Sequence, residues 1–144
     1  MKLEIINTSG YPNPSYAYPW DSGMDIRTCI TEPITLESLD RYLFPTGIHI
    51  NVPRGYEIQV RPRSGMALKK GISVVNTPGT VDCGYTNEIG VILINLSKEP
   101  VTINPGDRIA QLVLVKVEHA GFVDVDHFES TARGDNGYGS TGEK

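Results

Sequence analysis

The chain has 144 residues, 39% of them hydrophobic and 21% charged, with a net charge of −4 at pH 7. That describes one ordinary globular domain and excludes the basic run that a nucleic-acid or anionic membrane surface calls for. No apolar run approaches membrane-spanning length and MKLEIINTSG lacks a signal-peptide core, so Cys29 and Cys83, the only cysteines, read as free thiols of a cytoplasmic protein.

Residues 2–8 alternate weakly and predict a first strand. Residues 9–22 contain Gly10, Pro12, Pro14 and Pro19, which exclude a helix and favour an extended loop. A second strand begins at 23–27. Its Asp25 lies between apolar residues and is either solvent-facing or held near a ligand or metal. Residues 34–40 read as a short turn or strand, 43–52 as a strand broken at Pro45-Thr46-Gly47, and 56–61 as a clean alternation with Ile58 and Val60 on one face. No helical period persists through this half, and turn signals recur about every ten residues, the pattern of an all-β jelly roll, sandwich or barrel.

In RPRSGMALKKGI, residues 61–72, Arg63, Ser64 and Gly65 put a guanidinium, a hydroxyl and open backbone N–H groups in succession. These are the parts of a small anion site. They also fit a Ser N-cap before one helical turn over 66–70. The runs GISVV and IGVILIN then read as strands flanking residues 76–91, NTPGTVDCGYTNEIGV. That stretch is too rich in Gly, Pro, Asn and Thr for a two-residue hairpin. It carries a carboxylate at its waist, Asp82, and an aromatic ring, Tyr85. A wide hairpin of this kind can hold a small planar ligand against exposed backbone, and it equally fits a polar turn in which Asp82 bonds its own backbone.

Pro105-Gly106-Asp107 turns into a long apolar strand over 108–117, within which Gln111 needs partners if it is buried. Residues 123–125 predict a last strand. From 129 the chain reads ESTARGDNGYGSTGEK, with four glycines and no aliphatic residue larger than Ala, so it contributes nothing to a core. The expected organisation is a β domain over 1–128 and a flexible strap over 129–144. Tyr138, Arg133 and the Ser140-Thr141 hydroxyls equip the strap to close over a ligand, stacking a ring and wrapping phosphate. His49, His119 and His127 lack ligand spacing.

SGMDI at 22–26, PRSGMALKKGI at 62–72, the 76–91 stretch, GDRIAQLV at 106–113 and RGDNGYGSTG at 133–142 resemble, in order and spacing, the five motifs of the trimeric dUTPase family. The resemblance implies a β jelly-roll homotrimer with active sites shared between chains, hydrolysing dUTP to dUMP and pyrophosphate with Mg²⁺ on the triphosphate. It implies that Asp82 activates the attacking water and that Tyr85 lies under the deoxyribose, leaving no room for a 2′-OH. Asn76, with the hairpin backbone at Gly79 and Val81, would read uracil. Arg63, Ser64 and Gly65 would form the phosphate turn, with Gln111 a polar catalytic group near the phosphates. Asp25 would associate with the hydrated metal, Tyr138 would cover the base, and Arg133, Gly139, Ser140 and Thr141 would hold the terminal phosphates.

The chain departs from the family pattern in places. Ser22 stands where Ala is common, Tyr138 where Phe is, and Asp135-Asn136 replaces an acidic-Gly pair. Gly84 stands where a second Asp often lies, and Thr86-Asn87 replaces Arg/Gln-Gly, which bears on the hairpin's fine geometry. A dCTP deaminase of the same fold, including the bifunctional form that also cleaves triphosphate, is the nearest alternative. Such deaminases are usually longer and lack the terminal strap. A regulatory nucleotide-binding protein and a structural jelly roll are the others.

Overall fold

The computed structural model describes residues 1–134; Tyr138, Gly139, Ser140, Thr141 and the Asp135-Asn136 pair lie outside the described residues. Eleven strands and one helix make up the regular structure of that part: β1 Glu4–Asn7, β2 Met24–Arg27, β3 Ile34–Leu36, β4 Arg41–Phe44, β5 Ile48–Asn51, β6 Tyr56–Arg61, α1 Ser64–Lys70, β7 Ile72–Val74, β8 Gly79–Val81, β9 Val91–Asn95, β10 Val101–Ile103 and β11 Arg108–Lys116. The all-β expectation holds, and every strand pair is antiparallel.

Alternation decides which face each strand buries. Ile58 and Val60 of β6, Val91 and Leu93 of β9, and Ile72 and Val74 of β7 point into one core, because successive side chains on a strand face opposite sides. Phe44, Ile26, Ile103, Ile109 and Leu112 complete its fully buried centre. Asn95 is one of three fully buried polar residues among the described residues, with Thr28 and Thr46. Its amide donates to the carbonyls of Leu36 (2.9 Å) and Glu99 (2.8 Å), and its oxygen accepts from the Ser97 N–H at 2.9 Å. Buried and fully paired, it closes the β9–β10 connection without a desolvation cost.

The strands form a four-stranded sheet in the order β2-β11-β6-β8, a three-stranded sheet β4-β9-β7, and the pairs β1-β5 and β3-β10. β11 is the backbone of the first sheet: Leu112 lies opposite Met24 on one side and Val60 on the other. The predicted break at 45–47 separates β4 from β5, with Gly47 at φ 64°.

Four local expectations change. The flanking runs of the 76–91 stretch do pair, Val74 opposite Leu93, but β8 rises between them and joins the outer edge of β6 in the other sheet. Its alternation, Gly79 and Val81 buried around exposed Thr80, is too short to stand out among turn residues. Arg63, not Ser64, is the N-cap of α1, and no side chain caps that helix. Residues 123–125 form no strand: Val123 and Val125 are exposed, since β-propensity without a ladder partner does not fix a strand. β10, three residues paired with β3, went unpredicted for the same reason of length. Among the described residues, no helix is long and apolar enough to cross a membrane.

Candidate functional site

Two clusters carry the predicted site residues that precede Arg133. The first is the hairpin. As the last strand of its sheet, β8 is hydrogen-bonded on one side only, so an edge strand's alternate N–H and C=O groups remain without strand partners. Asn76, Gly79, Val81, Tyr85, Glu88 and Ile89 line a small cavity of about 110 Å³ beside it. Asp82 follows β8 directly and is exposed. The Tyr85 N–H donates to the Asp82 carbonyl at 3.1 Å, closing a turn whose third residue, Gly84, has φ 87°. A turn with positive φ at that place favours Gly or Asn, and Asp also tolerates the left-handed region. The Gly84 departure therefore keeps the backbone path. Tyr85 is half exposed, and its hydroxyl donates to the Glu88 carbonyl at 3.0 Å. The Asp82 carboxylate makes no hydrogen bond or ion pair among the described residues, so the self-bonded polar turn is not what forms.

The second cluster is built where β2, β11 and the start of α1 meet. Register sets Gln111 opposite Asp25. The Asp25 carboxylate accepts from Arg63 Nε at 2.8 Å on one oxygen and from Arg108 Nη1 at 3.1 Å on the other, while Arg63 Nη1 donates to the Arg108 carbonyl at 3.0 Å. Gln111 Nε2 donates to the Pro62 carbonyl at 2.8 Å, and its other amide atom abuts Gly23, where any Cβ would overlap it. Gln111 thus finds the partners its place in β11 requires, and together these bonds hold the 62–65 turn against the sheet.

At that turn the first-turn amides of α1 have no intrahelical acceptor, no side-chain cap and no acidic residue in the first turn. A Cβ on Gly65 would meet nothing within 4 Å, and its φ is not positive. Nothing among the described residues requires glycine there, although a helical glycine costs about 1 kcal/mol against Ala. Arg27, Arg63, Lys69, Lys70 and Arg108 line an adjoining cavity of about 430 Å³ with Asp107 as its one carboxylate. In a chain of net charge −4, so concentrated a positive wall suits a polyanion.

No group of three or more His, Cys, Asp or Glu able to hold a metal exists among the described residues. Asp25 nevertheless fits an outer-sphere role. It is half-buried, and two of its roughly four lone-pair sites are taken by the arginines, leaving room for waters of a hydrated Mg²⁺, which keeps several waters and uses few protein carboxylates.

The hairpin cavity and the cationic cavity share no lining residue. One chain therefore brings Asn76, Gly79, Val81, Asp82 and Tyr85 together, and separately Asp25, Arg63, Ser64, Gly65 and Gln111. Arg133 is exposed in a turn closed by the Gly134 N–H and the Thr131 carbonyl at 3.0 Å. Sequence reasoning passed over Arg108, although it lies within GDRIAQLV, and Glu88, whose partners sit more than forty residues earlier and leave no local signal.

The dUTPase family model matches residues 10–142. Deoxyuridine 5'-triphosphate nucleotidohydrolases of Fusobacterium nucleatum and Ehrlichia canis are 50% and 51% identical, each over 99% of this chain and over 98% and 94% of their own length. The dUTPase of Staphylococcus bacteriophage 80alpha, solved with dUpNHpp, superposes with a TM-score of 0.86 at 25% identity, covering 98% of both chains. A variant of the phage phi11 dUTPase, described with a structural Mg(II) ion, shares the fold with a TM-score of 0.80 over 90% of this chain and all of its own.

Proposed function

This chain belongs to the dUTPase family and hydrolyses dUTP, and we propose that its two clusters are the base-reading and phosphate-binding halves of one active site, brought together between copies of the chain in a homotrimer. The observation that carries this reading is the open edge of β8 beside Tyr85 and Asp82. Uracil presents acceptor, donor and acceptor at O4, N3–H and O2, which is what a neighbouring strand would present to that edge. Cytosine offers a donor at position 4 and lacks the N3 proton, and a mismatch of buried polar groups discriminates by ~10⁴ or more.

In the mechanism we propose, the Tyr85 ring packs under the deoxyribose. Asp82 accepts a proton from a water whose oxygen attacks the α-phosphorus, and pyrophosphate leaves. Arg63, the Ser64 hydroxyl and the amides of Ser64 and Gly65 hold the phosphates, and Gln111 fixes the turn that presents them. Bound Mg²⁺, held through water by Asp25, would neutralise phosphate charge. Phosphoanhydride cleavage needs little beyond this alignment, charge neutralisation and one proton acceptor. Tyr138, Gly139, Ser140, Thr141 and Arg133 complete the reading as the strap over base and terminal phosphates.

A panel of dUTP, UTP, dCTP and dTTP, with pyrophosphate and ammonia both measured, tests the reading. We expect pyrophosphate from dUTP alone and no ammonia; ammonia from dCTP would instead establish a deaminase.

Two glycines provide a sharper comparison. Gly23→Ala forces a methyl onto the Gln111 amide and should lower stability by about 1–3 kcal/mol, as overpacking does. Gly65→Ala meets only open space and should raise stability by up to about 1 kcal/mol through helix propensity. It should still weaken dUTP turnover, because the added methyl stands where a phosphate approaches the backbone. Melting curves and steady-state kinetics on both variants check this; unimpaired turnover in Gly65→Ala would remove the phosphate from that turn.

A further inference from the structure

Glu88 stands at the outgoing end of the hairpin, and its carboxylate is bonded far from its own neighbourhood. One oxygen, Oε1, accepts the backbone N–H of Thr46 at 2.8 Å and that of Gly47 at 2.7 Å. Around this pair, the Thr46 hydroxyl donates to the Ile89 carbonyl at 2.6 Å, and the Ile89 N–H donates to the Ile48 carbonyl at 2.8 Å. Thr46 is fully buried. Hydrogen bonds from backbone amides to an ionised carboxylate are among the stronger ones available, so the 45–47 turn is a fixed post. Burial, and after it the charge of Glu88, pushes the Cys29 thiol upward, which agrees with the carboxylate lying inside this junction.

The same residue's backbone carbonyl receives the Tyr85 hydroxyl at 3.0 Å, and Glu88 lines the hairpin cavity with Tyr85. Tyr85 otherwise sits in an exposed turn with no packed ring partner among the described residues. Its ring orientation is therefore set at two points, the turn backbone and the Glu88 carbonyl, and the second is only as fixed as the Glu88 anchor.

We propose that Glu88 is a positioning residue for sugar discrimination: by tying the hairpin to the Thr46 and Gly47 amides it holds the Tyr85 ring at the height that excludes a ribose 2′-hydroxyl. The proposal rests on the reading of Tyr85 as the ring beneath the deoxyribose. Its signature is a loss of selectivity rather than of folding. A 2′-hydroxyl is excluded only if the ring cannot retreat, and misplacement by about an ångström in a site can be worth ~10².

The experiment measures kcat/KM for dUTP and for UTP in the wild type, Glu88→Ala, Glu88→Gln, Tyr85→Phe and Tyr85→Ala, below every variant's melting temperature. Glu88→Ala should lower the dUTP-to-UTP ratio by about tenfold to a hundredfold. Glu88→Gln keeps a carbonyl oxygen for both amides and should hold the ratio within about twofold of wild type, since neutral acceptors are weaker but geometrically equivalent. Tyr85→Phe, which loses only the hydroxyl, should shift the ratio in the same direction as Glu88→Ala. A folded Glu88→Ala protein with the wild-type ratio overturns the proposal. Should Glu88→Ala fail to fold, Tyr85→Phe decides, because it removes only the hydroxyl that reaches the Glu88 carbonyl: an unchanged ratio overturns the proposal and a lowered one supports it. If Tyr85→Ala itself leaves the ratio unchanged, the ring is not the sugar gate, and the reading of Tyr85 fails instead.

Discussion

Asp82→Asn should bind dUTP nearly as well as the wild type and turn it over about 10²–10⁴ times more slowly, the usual contribution of a positioned base. The amide keeps the shape of the carboxylate and removes its ability to take a proton from water. Asp82 is exposed at the end of β8, and its carboxylate makes no hydrogen bond or ion pair among the described residues. Binding is read with a non-hydrolysable dUTP analogue and turnover by pyrophosphate release. A variant with near wild-type kcat would take the base away from Asp82. One that no longer bound the analogue would make Asp82 a substrate contact rather than a proton acceptor.

The second large effect concerns assembly. Take Asp82→Asn and a chain truncated before Arg133, each inactive alone, and refold them together in equal amounts. If the base and the strap at one site come from different chains of a closed trimer, a site is intact when a truncated chain supplies Asp82 and an Asp82→Asn chain supplies the strap. Random mixing gives this a chance of one half times one half, so roughly a quarter of wild-type activity should return. Were both groups supplied by one chain, no mixture could build an intact site. Mixed trimers confirmed by mass with no recovered activity would end the shared-site reading.

Much of this molecule is written locally, and the exceptions share a cause. β6 announces itself by alternation over six residues and β9 as an apolar, β-branched run of similar length bounded by turn residues, and both signals are stronger than noise. β8 and β10, at three residues each, are not separable from turns until their partners are known. Residues 123–125 show the reverse, a strand-like composition without a strand to lie against. At the site, the segment around Arg63 and the turn after Asp82 stood out by their residue types, while the roles expected of them came from the family resemblance. What remained hidden was the wiring: that Asp25 divides its two oxygens between arginines 38 and 83 positions away, and that Glu88 reaches back to Thr46 and Gly47. Such bonds depend on which strands come to lie together, and short-range patterns do not encode that.

The path of β8 limits how the hairpin cavity opens. Its entering and leaving arms belong to the β4-β9-β7 sheet, while its middle is laced to β6 in the other. Opening the pocket by an outward swing of the hairpin would have to unlace β8 from β6 or pull β7 from β9, both of which pack against the common core. The amides of Gly79–Val81 that bond to β6 should then exchange with solvent deuterium only in large, nearly global openings, while those of residues 83–87 exchange through local fluctuation. The floor of the hairpin cavity would be among the slowest-exchanging parts of the protein, with the amides of its rim faster.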